Sequence, residues 1–366
     1  MHPFLKKIVS CIPAPLAHDL APYLLSIYAN SFAAKSAAAT DSPATTSTNQ
    51  IPQPPSTTTS STSTPTKNNA EKFQWRAFTW KSKNKKPLHF RNPLGIAGGV
   101  DKTGEQVLNW QKLGAGFLEV GTVTPYPQGP NPGKILDRNW EQKNLWNRMG
   151  FPGPGMQDVF ITLMYAKSKL KIPLFINVGK NRSTSNTEAV NDYIDVIQKF
   201  SSLADAFVIN ISSPNTKNLR ELQNDQFIQN ICLHIKQIAP QTPILVKLSP
   251  DLSRDELELF LIAGLTAGID GFILTNTTLQ RPAHVHFPSE GGLSGQDLKP
   301  IAIQKLKEAI QILGNRRSEV LLISVGGVLH PEDAIERLEI GADLVQTYSG
   351  LVFTGPDFFI QTMQRT

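Results

Sequence analysis

Short apolar runs alternate with amphipathic segments along this chain from Pro93 onward, and few folds accommodate such an alternation. Most of the runs, such as FVINIS and ILVKLS, have the near-continuous apolar composition of strands covered on both faces. The predicted strands are residues 94–98, 116–123, 174–179, 206–212, 244–249, 271–276, 320–326 and 344–349. The predicted helices are residues 105–113, 158–169, 188–203, 225–239, 254–267, 300–313, 331–340 and 356–364. Ser253 and Pro331 are typical helix-start residues.

Eight strand–helix units over about 270 residues predict a (β/α)8 TIM barrel, which typically takes ~250 residues. The alternative is a doubly wound sheet, which needs fewer units and a GxGxxG turn after its first strand. Here the first strand leads into GGVDKTG. We therefore predict an α/β barrel, with a small N-terminal helical domain and a disordered insertion.

The insertion is recognised by its composition. Residues 36–70 contain 17 Ser or Thr and 5 Pro, with Asp41 and Lys67 as the only charges. Such a segment buries too little apolar surface to offset the entropy lost on ordering. The predicted domains are an N-terminal amphipathic domain (1–34), a disordered linker (35–72) and the barrel (73–366).

The N-terminal domain carries two apolar patterns at helical spacing, separated by Pro13 and Pro15. The first consists of Phe4, Leu5, Ile8, Val9 and Ile12. The second consists of Leu16, Leu20, Leu24 and Ile27, widened by Leu25, Tyr28 and Phe32, with Asp19, Ser26 and Asn30 on the other side. No apolar run reaches the ~18 residues of a membrane span. Three interpretations stay open: attachment to a membrane surface, docking onto the barrel, or a targeting peptide.

Cysteine and charge exclude several classes. Cys11 and Cys232 form no CxxC pair, which excludes a disulfide framework, a zinc ribbon and a four-cysteine iron–sulfur site. A reducing compartment fits this cysteine content. The net charge of +6 is dispersed, and the densest basic run, residues 81–86, is expected to be a solvated surface with no nucleic-acid role.

Polar residues concentrate where the predicted strands end, which in a barrel is where the active site is built. From the second strand onward these ends carry no Asp, Glu or His, which argues against glycosidases and metal hydrolases. His284 and His286 lack a third ligand candidate, so we expect no metal. The residues at the ends are Asp101, Lys102, Thr122, Asn177, Lys180, Asn181, Asn210, Ser212, Ser213, Lys247, Thr275, Asn276, Thr277, Gly326, Gly327, Tyr348 and Ser349.

These residue types indicate a ring substrate and a phosphate-bearing cofactor. Asparagine amides both donate and accept, as a heterocycle with alternating C=O and N–H groups requires. The SVGG run, with Tyr348 and Ser349, is typical of a barrel phosphate cradle. Gly98 and Gly99 allow the backbone to approach a flat ring. Each glycine pair taken alone is equally typical of a tight turn.

The motifs GIAGGVDK, EVGTVTP, NRMGF, NVGKN, NISSPNT, VKLSPD, TNTT, GGLSG, SVGG and LVQTYSG occur in this order. They resemble the dihydroorotate dehydrogenases, FMN enzymes of pyrimidine synthesis, from about Phe90 to the end. The N-terminal stretch is similar to the helical domain of the membrane-bound, quinone-dependent class. Ala14, Pro15 and Leu16 depart from the acidic start that this class often shows at its second helix.

The resemblance implies specific site residues. Ser213 takes the position of the catalytic base, where the soluble class has cysteine. The implied FMN contacts are Gly98, Gly99, Val100, Asp101, Lys102, Thr122, Asn177, Asn210, Lys247, Thr275, Gly295, Gly327, Tyr348 and Ser349. The implied substrate contacts are Lys102, Asn147, Arg148, Met149, Gly150, Phe151, Asn210, Asn215, Asn276 and Thr277. The implied quinone site consists of His18, Arg138 and Tyr348.

The implied activity is oxidation of dihydroorotate to orotate by one FMN per chain, with ubiquinone or menaquinone as acceptor. We expect a membrane surface as a partner, no iron–sulfur subunit, and a peripheral location on the cytoplasmic side of a bacterial inner membrane. Three alternatives stay open. A fumarate-reducing relative would carry cysteine at position 213, a uridine-reducing FMN barrel would need a clustered basic face, and a binding module would hold no flavin.

Overall fold

The computed structural model describes residue 14 and residues 20–31, 75–82 and 84–364. The first predicted N-terminal helix, His18 and the insertion lie outside the described residues. The strands are β1 (Phe78–Trp80), β2 (Leu88–Phe90), β3 (Leu94–Asp101), β4 (Phe117–Val123), β5 (Leu136–Asn139), β6 (Asn144–Asn147), β7 (Leu174–Val178), β8 (Ala206–Asn210), β9 (Ile244–Leu248), β10 (Gly271–Leu274), β11 (Gly292–Gly295), β12 (Leu321–Val325) and β13 (Leu344–Thr347). The helices are α1 (20–31), α2 (Val107–Lys112), α3 (Met156–Lys167), α4 (Ala189–Phe200), α5 (Asp225–Ile238), α6 (Arg254–Ala267), α7 (Lys299–Leu313), α8 (Pro331–Ile340), α9 (Ser349–Phe353) and α10 (Phe358–Gln364).

The eight predicted strands form a closed parallel barrel in the order β3, β4, β7, β8, β9, β10, β12, β13. Apolar residues cover both faces of these strands, because side chains fill the barrel interior while helices cover its outside. The predicted (β/α)8 barrel is therefore confirmed.

The predicted helix-start signals are also confirmed. Ser253 forms a capping box with Glu256, in which the serine Oγ accepts the Glu256 N–H at 3.2 Å and the Glu256 carboxylate accepts the Ser253 N–H at 2.7 Å. Pro331 is the first residue of α8. Boundaries differ from the prediction by a few residues at most helix ends.

A β1–β2 hairpin closes the amino-terminal end of the barrel and has no counterpart among the predicted strands. The Phe90 ring lies edge-on to the rings of Phe117 (5.8 Å) and Phe175 (6.3 Å). Within the basic run that connects its two strands, Lys85 is not solvated as expected, because its Nζ pairs with Asp270 at 3.4 Å. The hairpin is thus fixed to the barrel by an aromatic plug and a largely buried ion pair.

Helix α1 packs on α2. Leu25 and Ala29 are buried in the main core, and Ser26 Oγ donates to Gln106 Oε1 at 3.1 Å. Lys112 Nζ donates to the side chain of Asn30 at 3.2 Å. Docking onto the barrel, one of the three open interpretations, is therefore seen for this helix, while its Leu20, Tyr23, Leu24 and Ile27 side chains stay exposed. Among the described residues, no helix combines the length and the apolar character needed to cross a bilayer.

Candidate active site

A cavity with an empty volume of about 1010 Å³, including space open to solvent, lies at the carboxyl ends of the barrel strands. A three-stranded antiparallel sheet of β5, β6 and β11 contributes to its wall through Leu136, Leu145, Asn147 and Ser294. This sheet was not predicted, because its strands are short and polar. The predicted site residues that line the cavity are Gly98, Gly99, Lys102, Thr122, Asn147, Met149, Gly150, Phe151, Asn210, Ser213, Asn215, Lys247, Thr275, Asn276, Thr277, Gly327, Tyr348 and Ser349.

Glycines keep two parts of the cavity wall flat. A Cβ on Gly98 would lie 2.3 Å from Glu119 Oε1, and one on Gly327 would lie 2.4 Å from the Lys299 Cβ. Gly327 also has φ +69°, in the left-handed region that favours glycine. Because neither position has room for a side chain, the backbone itself lines the cavity at the ends of β3 and β12. Planar or phosphate groups can therefore approach this backbone closely.

Asparagine amides form a connected network around the cavity. Asn210 Nδ2 donates to Thr122 Oγ1 at 3.0 Å and to Asn177 Oδ1 at 3.2 Å. Asn276 Nδ2 donates to Ser212 Oγ at 3.0 Å. The amide of Asn215 donates to Asn147 Oδ1 at 2.8 Å.

The Asn215 Oδ1 atom is buried and has no hydrogen-bond partner among the residues that the structure describes. Because an unpaired buried acceptor is costly, this atom points to a ligand that brings a donor. The fixed amides around it provide the donors and acceptors that a polar heterocycle needs.

Ser213 lies in the loop after β8, where its Oγ accepts the Asn215 N–H at 3.2 Å. Arg220 supports this loop, donating to the Ser212 carbonyl at 3.0 Å and to the Thr277 carbonyl at 3.1 Å while pairing with Asp251 at 2.8 Å. Arg220 was not predicted as a site residue, and it ties the serine loop to the loop after β10.

A buried ion pair underlies the cavity. Lys247 Nζ lies 3.1 Å from Glu119 Oε1, and both side chains are almost completely excluded from solvent. The same carboxylate accepts hydrogen bonds from Asn177 and, at 2.6 Å, from Gln346 Nε2. No role was predicted for Glu119, since it lies in the middle of β4 and not at its end. Its place in the EVGTVTP motif was the available signal.

Five of the predicted FMN or substrate contacts lie outside the cavity lining: Val100, Asp101, Arg148, Asn177 and Gly295. The Asp101 carboxylate accepts the Gly104 and Gln106 N–H groups at 2.8 and 2.9 Å, and burial raises its pKa to about 6. Arg148 pairs with Glu290 at 3.3 Å. Asp101 and Arg148 thus contact other parts of the protein in this structure, and the roles of all five residues toward ligands stay predictions.

Of the predicted quinone residues, Tyr348 lines the cavity, and burial raises its pKa to about 12. The Arg138 guanidinium lies 5.0 Å from the centre of the Trp140 ring. Trp140 packs edge-on against Phe353, at 5.2 Å between ring centres, in an apolar cluster that Tyr348 also contacts. His18 lies outside the described residues.

Two further side chains with possible chemical roles, His284 and Cys232, lie outside the cavity lining. His284 pairs with Asp297 at 2.9 Å, and the part of the chain that the structure describes holds no group of three potential metal ligands. The Cys232 thiol is buried in the core, which raises its pKa to about 12. It is therefore no candidate nucleophile.

Residues 82–365 match the Dihydroorotate dehydrogenase family profile. The chain belongs to the dihydroorotate dehydrogenase family. A dihydroorotate dehydrogenase (quinone) of Sulfurovum is 41% identical over 270 residues, covering 73% of this chain and 74% of the relative. One from Acinetobacter baumannii is 39% identical over 288 residues, covering 76% of this chain and 85% of the relative.

A solved structure gives the same result. The DHODH of Eimeria tenella in complex with ferulenol has a TM-score of 0.71 and 31% identity, covering 76% of this chain and 81% of that chain. The family assignment identifies the chain as an oxidoreductase and confirms the resemblance seen in its motifs.

Proposed function

We propose that this chain oxidises (S)-dihydroorotate to orotate with one bound FMN and passes the electrons to a membrane quinone, in the de novo synthesis of UMP. The observation that carries the proposal is the convergence of Ser213, Lys247 and four asparagines on one cavity at the barrel's carboxyl end. The relatives named as quinone dihydroorotate dehydrogenases support the reaction class.

The lining of the cavity suits FMN in its chemistry. Its bare backbone at Gly98 and Gly99 matches a flat ring, and the loop of Gly326 and Gly327 matches a phosphate. When bound, FMN supplies the acceptor for the hydride from C6 of the substrate. Lys247, held by Glu119, provides fixed positive charge at the cavity wall. Thr122, Asn210, Thr275 and Ser349 complete the proposed cofactor contacts.

The asparagine network is the proposed substrate clamp. Asn147, Asn210, Asn215 and Asn276 present alternating donors and acceptors to the pyrimidine ring, while Lys102 meets the substrate carboxylate. Ser213 takes the proton from C5, so that loss of this proton and of the C6 hydride forms the C5=C6 double bond.

A serine at its free pKa is a poor base, so Ser213 needs a proton acceptor. Thr216, three residues further along, has a buried hydroxyl with no hydrogen-bond partner in the described structure. This hydroxyl, alone or through water, is the proposed relay.

The proposed acceptor is ubiquinone or menaquinone, reached through the region of Arg138 and Tyr348. The exposed apolar face of α1 supports peripheral attachment to a membrane, for which we propose the cytoplasmic side of the inner membrane. Electrons would pass from the cavity past Tyr348, which belongs both to the cavity wall and to the Trp140 cluster.

Anaerobic stopped-flow measurements on Ser213→Ala test the proposal. We expect dihydroorotate to bleach the flavin of the wild-type protein, and the variant to do so about 10²–10⁴ times more slowly while retaining FMN. Ser213→Cys should keep partial activity, because a thiol also accepts a proton.

The FMN absorbance of each variant and its reoxidation by quinone are the controls, since neither involves the C5 proton. Bleaching of Ser213→Ala at the wild-type rate would refute the role of Ser213. Wild-type protein that purifies without flavin and fails to bind FMN would refute the proposed function as a whole.

A further inference from the structure

Arg337, on α8, is a buried cation that the proposed chemistry does not use. Its side chain has no solvent exposure. Nη1 donates to Ser324 Oγ at 2.9 Å, and Nη2 donates to the carbonyls of Gly326 (2.8 Å) and Lys299 (3.3 Å). Nε has no hydrogen-bond partner in the described part of the chain. The guanidinium is thus held by neutral acceptors.

No carboxylate of the described residues forms an ion pair with Arg337. The acidic residue one helical turn before it, Asp333, pairs with Lys299 at 2.6 Å. Burial lowers the Arg337 pKa to about 10, although the charges of Glu336 and Asp333, both of which pair with Lys299, act in the opposite direction. Because a buried unpaired charge is strongly destabilising, a folded protein normally supplies an opposite charge nearby.

The position of Arg337 indicates where that opposite charge binds. Residues 326–330 connect β12 to α8, and Gly326 and Gly327 at the start of this loop line the cavity. Arg337 holds the start of the loop through the Gly326 carbonyl. Asp333 holds its end, accepting the N–H groups of Leu329 and His330 at 2.8 Å each. One face of α8 therefore fixes the whole loop.

We infer that Arg337 is the electrostatic counter-charge for the cofactor phosphate, acting across the Gly326 carbonyl without touching the phosphate. This inference rests on the proposed function, since it takes FMN as the cofactor. In the low-dielectric interior a full positive charge behind the loop attracts a dianion over more than one hydrogen-bond length. Arg337 is in this sense a positioning residue.

The test compares FMN with riboflavin, which has the same ring system and no phosphate. Apoprotein is titrated with each flavin by fluorescence quenching, for the wild type and for Arg337→Gln, Arg337→Met and Arg337→Lys. Arg337→Gln and Arg337→Met should bind FMN at least about tenfold more weakly, with riboflavin binding little changed, because the lost attraction involves only the phosphate. Arg337→Lys, which keeps the charge, should keep most of the FMN preference.

Ser324→Ala is the matched control, since it removes the Nη1 hydrogen bond and leaves the charge in place. It should keep the wild-type ratio of FMN to riboflavin affinity. The melting temperature without flavin is a second measurement: Arg337→Met should be as stable as the wild-type apoprotein or more so, and should gain less on adding FMN.

Equal losses of FMN and riboflavin affinity in the neutral variants would overturn the inference and leave Arg337 a structural role only. A fully retained FMN preference in Arg337→Met would overturn it as well. Wild-type apoprotein that binds neither flavin would instead overturn the proposed function, and the inference with it.

Discussion

Glu119 and Lys247 form a buried ion pair, of which only Lys247 reaches the cavity. Lys247 lines the cavity, whereas Glu119 lies in the barrel interior and touches Lys247, Asn177 and Gln346. Without the carboxylate, the ammonium group would be an unpaired charge in a dry environment. Glu119 therefore provides the partner charge for the lysine at the end of β9.

Glu119→Gln should destabilise the apoprotein by about 3 kcal/mol, because it leaves the Lys247 charge without its partner. Chemical denaturation of Glu119→Gln, Lys247→Met and the double variant measures this effect. The double variant should lose clearly less stability than the sum of the two single variants, since it buries no unpaired charge. Additive losses would show that the two side chains are not coupled.

Asp101 should make stability depend on pH. Burial raises its folded pKa to about 6, above the unfolded value of 3.8, so its favourable contribution is complete below pH 3.8 and is lost as the pH rises through 6. Asp101→Asn removes this dependence. Between pH 4 and pH 7 the stability of the variant relative to wild type should rise by about 2 kcal/mol. Denaturation curves across this range measure it, and a constant difference would contradict the raised pKa.

At the scale of elements, α1 has two different faces. Leu25 and Ala29 pack into the core, while the neighbouring Leu24 and Ile27 are about half exposed, at 49% and 51%. Ser26 and Asn30, expected on the polar side of the helix, contact the barrel through hydrogen bonds to Gln106 and Lys112. Docking onto the barrel and attachment to a membrane are thus compatible in one helix.

The adjacent leucines offer a matched pair of variants. Leu25→Ala should lower the stability of α1 docking by about 2 kcal/mol and increase protease cleavage of this helix. Leu24→Ala should leave docking unchanged and weaken sedimentation with anionic lipid vesicles by about threefold to tenfold, if this face enters the membrane. Equal effects of both variants on vesicle binding would contradict the division into two faces.

At the scale of the whole molecule, the described residues form the barrel, its loops and α1. The Ser/Thr/Pro-rich insertion lies between α1 and β1 in the chain. Residues 36–70 have the composition of a flexible tether. Replacing them with a short Gly/Ser linker of sufficient reach should change neither the melting temperature nor the turnover of dihydroorotate.

A shuffled segment of the same composition is the control for this replacement, and it should also behave as wild type. Calorimetry and quinone-linked turnover are the measurements. A large loss of melting temperature in either variant would show that the native segment packs on the barrel.

The sequence by itself determined the barrel. Continuous apolar strands and amphipathic helices repeat eight times, and each unit is specified by local hydrophobic patterning, by caps such as Ser253 and by the fixed φ of Pro331. Most polar residues of the cavity could also be predicted, because a parallel barrel brings all its strand ends to one face.

Tertiary structure alone decided which side chains are paired. The local sequence around Glu119 does not indicate its partners. In the folded barrel, β9 and β13 place Lys247 and Gln346, which are distant in the chain, against its carboxylate. Likewise, the local sequence around Arg337 is typical of a solvent-exposed helix position. The residue is buried only because α8 packs on the β12 loop. Burial and charge pairing depend on contacts between distant segments, whereas hydrophobic periodicity is a local property that the sequence displays directly.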